Sequence, residues 1–130
     1  MEFNNIENPK CISAGEFFGT LMQSVVESWG YHLKTGKYAE HIALNEFYDE
    51  MIELVDELIE DYQGSFGKID NFVFDSFEIT SDTAYGYMTE LKEFMKTNRN
   101  FFENDSELMS DSDAILSLID KTMYKLRELQ

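Results

Sequence analysis

The stretch WGYHLKTGKYAEHIALNEFYDEMIELVDELIEDY, residues Trp29 to Tyr62, decides the fold. It holds both histidines of the chain, His32 and His41, on either side of a Thr35-Gly36 break, and then runs into an amphipathic segment crowded with carboxylates. After the break, Ile42, Leu44, Phe47, Met51, Leu54, Val55, Leu58, Ile59 and Tyr62 recur at helical spacing, while Asp49, Glu50, Glu53, Glu57 and Asp61 fall largely off that stripe. The pattern predicts a helix of about 23 residues that ends before Gly64.

Upstream, Ser13 and Glu16 match the S-x-x-E capping box immediately before apolar residues, so a first helix starts there. Phe17, Phe18, Leu21, Met22, Val25, Trp29, His32 and Leu33 repeat at threes and fours and predict one buried stripe. His32 then faces inward near the helix end, and Gly36 serves as the C′ stop. Downstream, GSFGKIDNFVFDSFEITSD has two glycines, many aromatics and no clean helical period. It reads as a crossover spanning the bundle, with a short helix around Asp70 to Phe77. A strand over Phe72 to Ile79 is the competing reading, disfavoured because no second strand is present to pair with it. Ser81 or Asp82 caps a third helix, whose Ala84, Met88, Leu91, Met95, Asn98 and Phe102 share a face. The polar break NDSELMSDSD follows, with Ser110 and Asp113 as another cap. A fourth helix carries Ile115, Leu116, Ile119, Met123, Leu126 and Leu129, with Lys121, Lys125 and Arg127 late, where cations favour the helix dipole. Short outer links and one long central link predict an all-α fold, a four-helix bundle with a long crossover between its second and third helices, which is ferritin-like connectivity.

Residues 1–12, with Asn, Glu and the only proline, Pro9, read as a flexible N-terminal arm before a bundle domain at 13–130. The single cysteine, Cys11, has no partner for a disulfide or a thiolate metal site and reads as a reduced bystander. Asp and Glu number 26 against 10 Lys and Arg, a net charge of −16 with a pI near 4.2. Without clustered cations the chain offers no counterion-releasing surface, so direct nucleic-acid binding is not expected. Such charge fits a solvated acidic surface, a cavity that collects cations, or a decoy for a basic protein partner. No apolar run of about 18 residues exists for a membrane helix, and MEFNNIENPK lacks the basic and apolar regions of a signal peptide, so the expectation is a cytoplasmic protein without a membrane partner.

WGYHLKTGKYAEH, DELIED and AILSLIDKTMYKLREL resemble stretches of the ferritin-like Dps proteins, the mini-ferritins that assemble as hollow shells, oxidise iron and store it. The similarity covers most of residues 13–129. The family's two histidine ligands, one near the end of the first helix and one at the start of the second, match His32 and His41. Its carboxylate pair fifteen and nineteen residues further on matches Asp56 and Glu60. Iron is therefore the implied metal, and a homo-oligomer the implied assembly. The loop between the histidines is shorter than the family's, and the family's aspartate one turn after the second histidine is Asn45 here, with Asp49 one turn beyond. The lysine-rich arms of DNA-binding members have no counterpart: the arm has Lys10 against Glu2 and Glu7.

Geometry constrains any such site. His41 and Asp56 lie roughly 22 Å apart along one helix at 1.5 Å per residue, so they cannot hold the same ion. A shared site requires His32 and His41 of one chain to meet Asp56 and Glu60 of another. The Glu-x-x-His pattern that builds a site within one ferritin chain is absent. By default, His32 is a hydrogen-bonded core histidine and His41 a capping or surface residue; the two bracketing one loop is what points to metal. Mixed imidazole and carboxylate ligands suit iron, manganese or zinc alike. No nucleophile elbow or phosphate loop is present. Three functions follow. The first is a Dps-like protein that binds and oxidises iron between subunits. The second is a bundle without chemistry that serves structure or assembly. The third is an acidic helical interaction protein, such as a phage-type inhibitor that mimics nucleic acid.

Overall fold

The computed structural model describes residues 12–76 and 80–130. These residues are all-helical: α1 spans Ala14–Lys34, α2 Tyr38–Phe66, α3 Ala84–Asn98 and α4 Ser106–Glu128, with a 3₁₀ turn at Arg99–Phe102 between the last two. No strand occurs among the described residues. The expected N-terminal arm and Cys11 lie outside them, apart from Ile12, which packs on the core.

α1 starts where the capping box predicts. The Glu16 amide donates to Ser13 Oγ at 3.1 Å, and the Ser13 amide donates to the Glu16 carboxylate at 2.8 Å. Its end differs, because Thr35 caps the helix in an extended conformation. Gly36 is not left-handed and is not the stop; Gly67 is the only glycine with a positive φ among the described residues. α2 runs 29 residues, straight through Gly64, and stops at Gly67 with φ 94°. Tyr62 and Phe66, one turn apart with rings 4.9 Å from each other, hold the last turn that Gly64 would otherwise weaken.

The caps of the other two helices also move. Thr83, not Ser81 or Asp82, caps α3: its Oγ1 accepts from the Gly86 amide at 3.0 Å, while Ser81 Oγ accepts from the Thr83 amide. α4 begins at Ser106 under Asp105, whose carboxylate accepts from the Leu108 amide at 3.0 Å. Ser110 and Asp113 are therefore inside the helix. The polar stretch read as a break instead buries Leu108 and Ser112 beneath its charged face.

α1 packs on α2, α2 on α4, α4 on α3, and α3 more lightly on α1. Side-chain pairs fix the directions. Tyr87, early in α3, meets Glu27 late in α1, whereas Phe94, late in α3, stacks on Phe17 at the start of α1. Lys125, late in α4, reaches Glu46 early in α2, and Lys92 of α3 pairs with Asp120 of α4. Neighbours are antiparallel throughout, and α1/α4 and α2/α3 are the diagonals.

The crossover makes this connectivity. It is an extended strap laid along α1, with Asn71 over Gly15, Val73 over Gly19, Asp75 at Gln23 and Ser81 at Tyr31. Neither the expected short helix over Asp70 to Phe77 nor the competing strand is present in residues 67–76 and 80–83; residues 77–79 lie outside the described part. The strap follows a helix instead of a strand, so its amides have no ladder. The Val73 amide donates to the Gly15 carbonyl at 3.1 Å, and the Asp75 amide donates to Gln23 Oε1 at 2.8 Å. The approach requires glycine, because a Cβ on Gly15 would stand 1.9 Å from Asn71 O and one on Gly19 would stand 2.1 Å from Val73 O.

The core runs the length of the bundle from Phe17 and Phe102 to Leu126 and includes Leu44, Phe47, Met51, Leu58, Met88, Leu91 and Ile119. One part of the predicted stripe is rotated. Met22, Trp29 and Leu33 are exposed, at 37, 49 and 68%, and the inner face of α1 continues instead through Ser24 and Ser28 to His32. Both serine hydroxyls donate to carbonyls of their own helix at 2.7 Å, so these small groups are buried without an unpaired polar atom.

Candidate metal-binding site

The α1–α2 turn brings the two histidines together. His32 ends the buried row of α1 and His41 lies in the first turn of α2, and their rings stack with centroids 3.6 Å apart and planes inclined by 18°. Each ring bonds to the other's backbone: His32 Nδ1 lies 2.7 Å from the His41 carbonyl oxygen, and His41 Nδ1 lies 2.8 Å from that of His32. A carbonyl only accepts, so both Nδ1 atoms carry hydrogen. In the neutral rings both Nε2 atoms then hold a lone pair, which is the tautomer a metal-ligating histidine needs. The clasp also places a donor on the His32 carbonyl in the last turn of α1, where helix carbonyls lack intrahelical partners.

Tyr48 stands edge-on to His32, with centroids 5.3 Å apart, and Trp29 lies beyond it. The Tyr48 hydroxyl donates to Asn45 Oδ1 at 2.7 Å, and Asn45 Nδ2 donates to Asp49 at 3.2 Å. His41, Asn45, Tyr48, Ile52, Asp56 and Glu60 follow one another at threes and fours along the outer side of α2.

Asp56 and Glu60 are exposed one turn apart on that row. The Asp56 charge, then a hydrogen bond with Asp56, raises the Glu60 pKa above the ordinary carboxylate value. They remain far from the histidines of their own chain, as the helical rise requires, so no single chain assembles the four residues. Beside them a groove of about 250 Å³ is lined by Met22, Val26, Ile52, Val55 and Ile59 as well as Asp56. With Val26 62% and Ile52 52% exposed, α1 and α2 present an apolar outer face between the histidine end and the carboxylate end.

A second acidic group was not legible from spacing along one helix. Glu57 and Asp61 of α2 meet Asp111 of α4, one carboxylate oxygen from each lying within 4.8 Å of the others. Burial raises the Asp111 pKa to about 7, aided by a hydrogen bond with Asp61 and by the charges of Asp61, Glu57 and Glu107. Asp111 Oδ2 is buried without a hydrogen-bond partner among the described residues. The only sequence signal was that Glu57 and Asp61 lie one turn apart; Asp111 comes from a stretch expected to be a polar break.

At the other face, Tyr87 is buried and donates from its hydroxyl to the Glu27 carboxylate at 2.6 Å. Burial raises the Glu27 pKa, and the tyrosine bond opposes part of that rise.

The fold and the clasped histidine pair define a small, acidic, antiparallel four-helix protein with ligand-competent imidazoles at one end of its α1–α2 hairpin. The chain belongs to a family of unknown function (DUF5856), whose model matches residues 32–126. The matched part opens at His32 and so includes both histidines, Asp56 and Glu60. No curated protein and no solved structure matches the chain. Among the described residues, no helix is long and apolar enough to cross a membrane.

Proposed function

We propose that this chain is a Dps-like member of the ferritin-like superfamily that takes ferrous iron as its substrate at sites shared by two copies of itself. His32 and His41 come from one copy, and Asp56 and Glu60 from the other. The observation that carries this reading is the reciprocal clasp, which fixes both imidazoles with Nδ1 turned to carbonyls and Nε2 left for a ligand. Two imidazoles and two carboxylates make a donor set suited to a divalent transition metal once the stacked rings, whose planes are inclined by only 18°, turn so that both Nε2 lone pairs meet the ion; net charge is balanced when both rings are neutral.

Three further features support it. The antiparallel neighbours and the strap along α1 match the connectivity of ferritin-like bundles. Pairing α2 antiparallel with its copy so that residue 41 lies opposite residues 56 to 60 sets a two-fold axis beside residues 48–51. The exposed Trp29, Val26 and Ile52 flank that position and would be covered. Lys34 and Lys37 at the histidine end would then lie near the acidic end of the partner, which includes Glu53, Asp56 and Glu60, so a chain of net charge −16 docks on itself with opposite charges apposed.

Light scattering tests the assembly, and ferrous-iron oxidation followed by ultraviolet absorbance tests the chemistry. Native protein is expected as a dimer or a multiple of dimers that oxidises iron. Ile52→Asp should give monomers, and His32→Ala with His41→Ala should lose oxidation at least tenfold with helicity kept. A native monomer that ignores ferrous iron would refute the proposal. That outcome favours a second reading, an acidic interaction protein with a basic partner, which the Glu57, Asp61 and Asp111 knot suits because it concentrates negative charge on the α2/α4 face.

A further inference from the structure

The outer face of the α1–α2 hairpin carries both a projection and a recess. Leu33 is the most exposed apolar side chain of α1, at 68%, and shares its helix face with Trp29, one turn earlier. Toward the carboxylate end, the groove of about 250 Å³ opens between Met22, Val25 and Val26 of α1 and Ile52, Val55 and Ile59 of α2. A dry apolar cavity of about 150 Å³ takes a benzene ring, so this groove has room for a branched aliphatic side chain. Within one chain the two do not meet, because Leu33 and Val26 lie about 10 Å apart along the same helix.

Charge sets how a second copy approaches. Lys34 and Lys37 at the histidine end have no ion-pair partner among the described residues. At the other end Asp56 and Glu60 repel each other across one turn. Opposite charges are apposed when the hairpins pair antiparallel, with a two-fold axis near the level of Trp29 and Tyr48, whose rings lie 6.1 Å apart. Leu33 lies one turn, about 6 Å, from that level toward the histidine end. The axis therefore carries the partner's Leu33 as far toward the carboxylate end, to the level of Ile52, where the groove begins.

We infer that this face docks on itself: the partner's Leu33 fills the groove between Val26 and Ile52, reciprocally in both copies, and both Trp29 side chains are covered beside the axis. This rests on the pairing of two copies in the reading above, but uses neither histidine as a ligand. The contact is isologous, so one substitution acts twice in each dimer.

Trp29 is the chain's only tryptophan, so its emission reports on this face alone. On dilution of the full-length protein, that emission should move to the red in step with the fall from dimer to monomer in light scattering. Leu33→Glu and Ile52→Lys, both at exposed positions, should each weaken self-association at least tenfold with helicity unchanged. Mixing the two variants should restore association, because one contact of the mixed dimer stays native and the other pairs glutamate with lysine. A native monomer would overturn the inference and the inter-subunit iron site together. A dimer that keeps its affinity in Leu33→Glu, whose Trp29 emission does not move on dissociation, or whose two variants stay apart when mixed would overturn the inference alone; loss of iron oxidation in the histidine variants would still support the site. A dimer that meets these expectations but leaves ferrous iron unoxidised would support the inference and refute the iron reading.

Discussion

Gly19 and Gly30 sit on the same helix eleven residues apart, and replacing each by alanine should move stability in opposite directions. In a helix interior, alanine is favoured over glycine by about 1 kcal/mol. At Gly30 an added Cβ meets nothing within 4 Å, so Gly30→Ala should gain about that amount. At Gly19 the same atom would lie 2.1 Å from Val73 O and 2.8 Å from Val73 C. Reaching an ordinary 3.4 Å contact requires the strap backbone to move 1.3 Å, that is 3.4 minus 2.1. The shift also strains the bond from the Val73 amide to the Gly15 carbonyl. Overpacking of this kind costs about 1–3 kcal/mol and a weakened hydrogen bond about 1 kcal/mol, so Gly19→Ala should lose about 2 kcal/mol after the propensity gain is subtracted. In thermal melts followed by circular dichroism, the two variants should separate by roughly 10 °C, with native protein between them. Equal gains for both would mean that the strap does not rest on α1 at Gly19, and the account of the crossover would fall.

Two further outcomes follow from the partly buried carboxylates Asp111 and Glu27. The Asp111 pKa rises from 3.8 unfolded to about 7 in the fold, so its contribution is present in full below about pH 4 and is lost as pH rises through 7. Asp111→Asn should flatten that slope in urea titrations and exceed native stability at pH 8 by about 1 kcal/mol, a figure reduced for the residue's partial exposure; an unchanged slope would refute the assignment. Tyr87→Phe removes the donor to half-buried Glu27 and should cost about 1 kcal/mol at neutral pH. The loss should shrink in acid, where Glu27, its pKa raised by burial, is protonated; a pH-independent loss would point to packing alone.

What was legible in the sequence was what local chemistry dictates. Ser13 and Glu16 satisfy each other within one turn, so the start of α1 could be read directly. The apolar period of α2 predicted its buried Leu44, Phe47, Met51, Val55 and Leu58. Where two local signals competed, the reading slipped: Gly64 looked like a stop, but Tyr62 and Phe66 carry the helix to Gly67. The row of Met22, Trp29 and Leu33 misled for another reason. Apolarity marks a surface that avoids water and does not say whether this chain or another covers it. The Gly15 and Gly19 pair, four residues apart on one face, was the available sign of a segment lying on α1, but it looks like ordinary helix until the strap is in place. The histidine spacing suggested proximity, yet the stacking and the paired carbonyl bonds depend on where two antiparallel helices end. The meeting of Asp111 with Glu57 and Asp61 depends on how α4 packs against α2, which no local pattern encodes.

The strap has a consequence for how the molecule assembles in time. Because it returns the chain to the histidine end before α3 begins, the long face of α2 is closed by α4, the last of the four described helices, through partners as distant in sequence as Glu46 and Lys125. The α1–α2 hairpin, with its nine-residue separation between His32 and His41 stitched from both sides, and the α3–α4 hairpin, tied by Arg99 to Asp113, can each form from nearby contacts. Leu44, Phe47 and Met51 must then wait for the far end of the chain, and loop closure over that distance sets a slow, cooperative last step. A chain truncated before Ser106 would retain the clasp but leave that apolar face uncovered, a species built to aggregate.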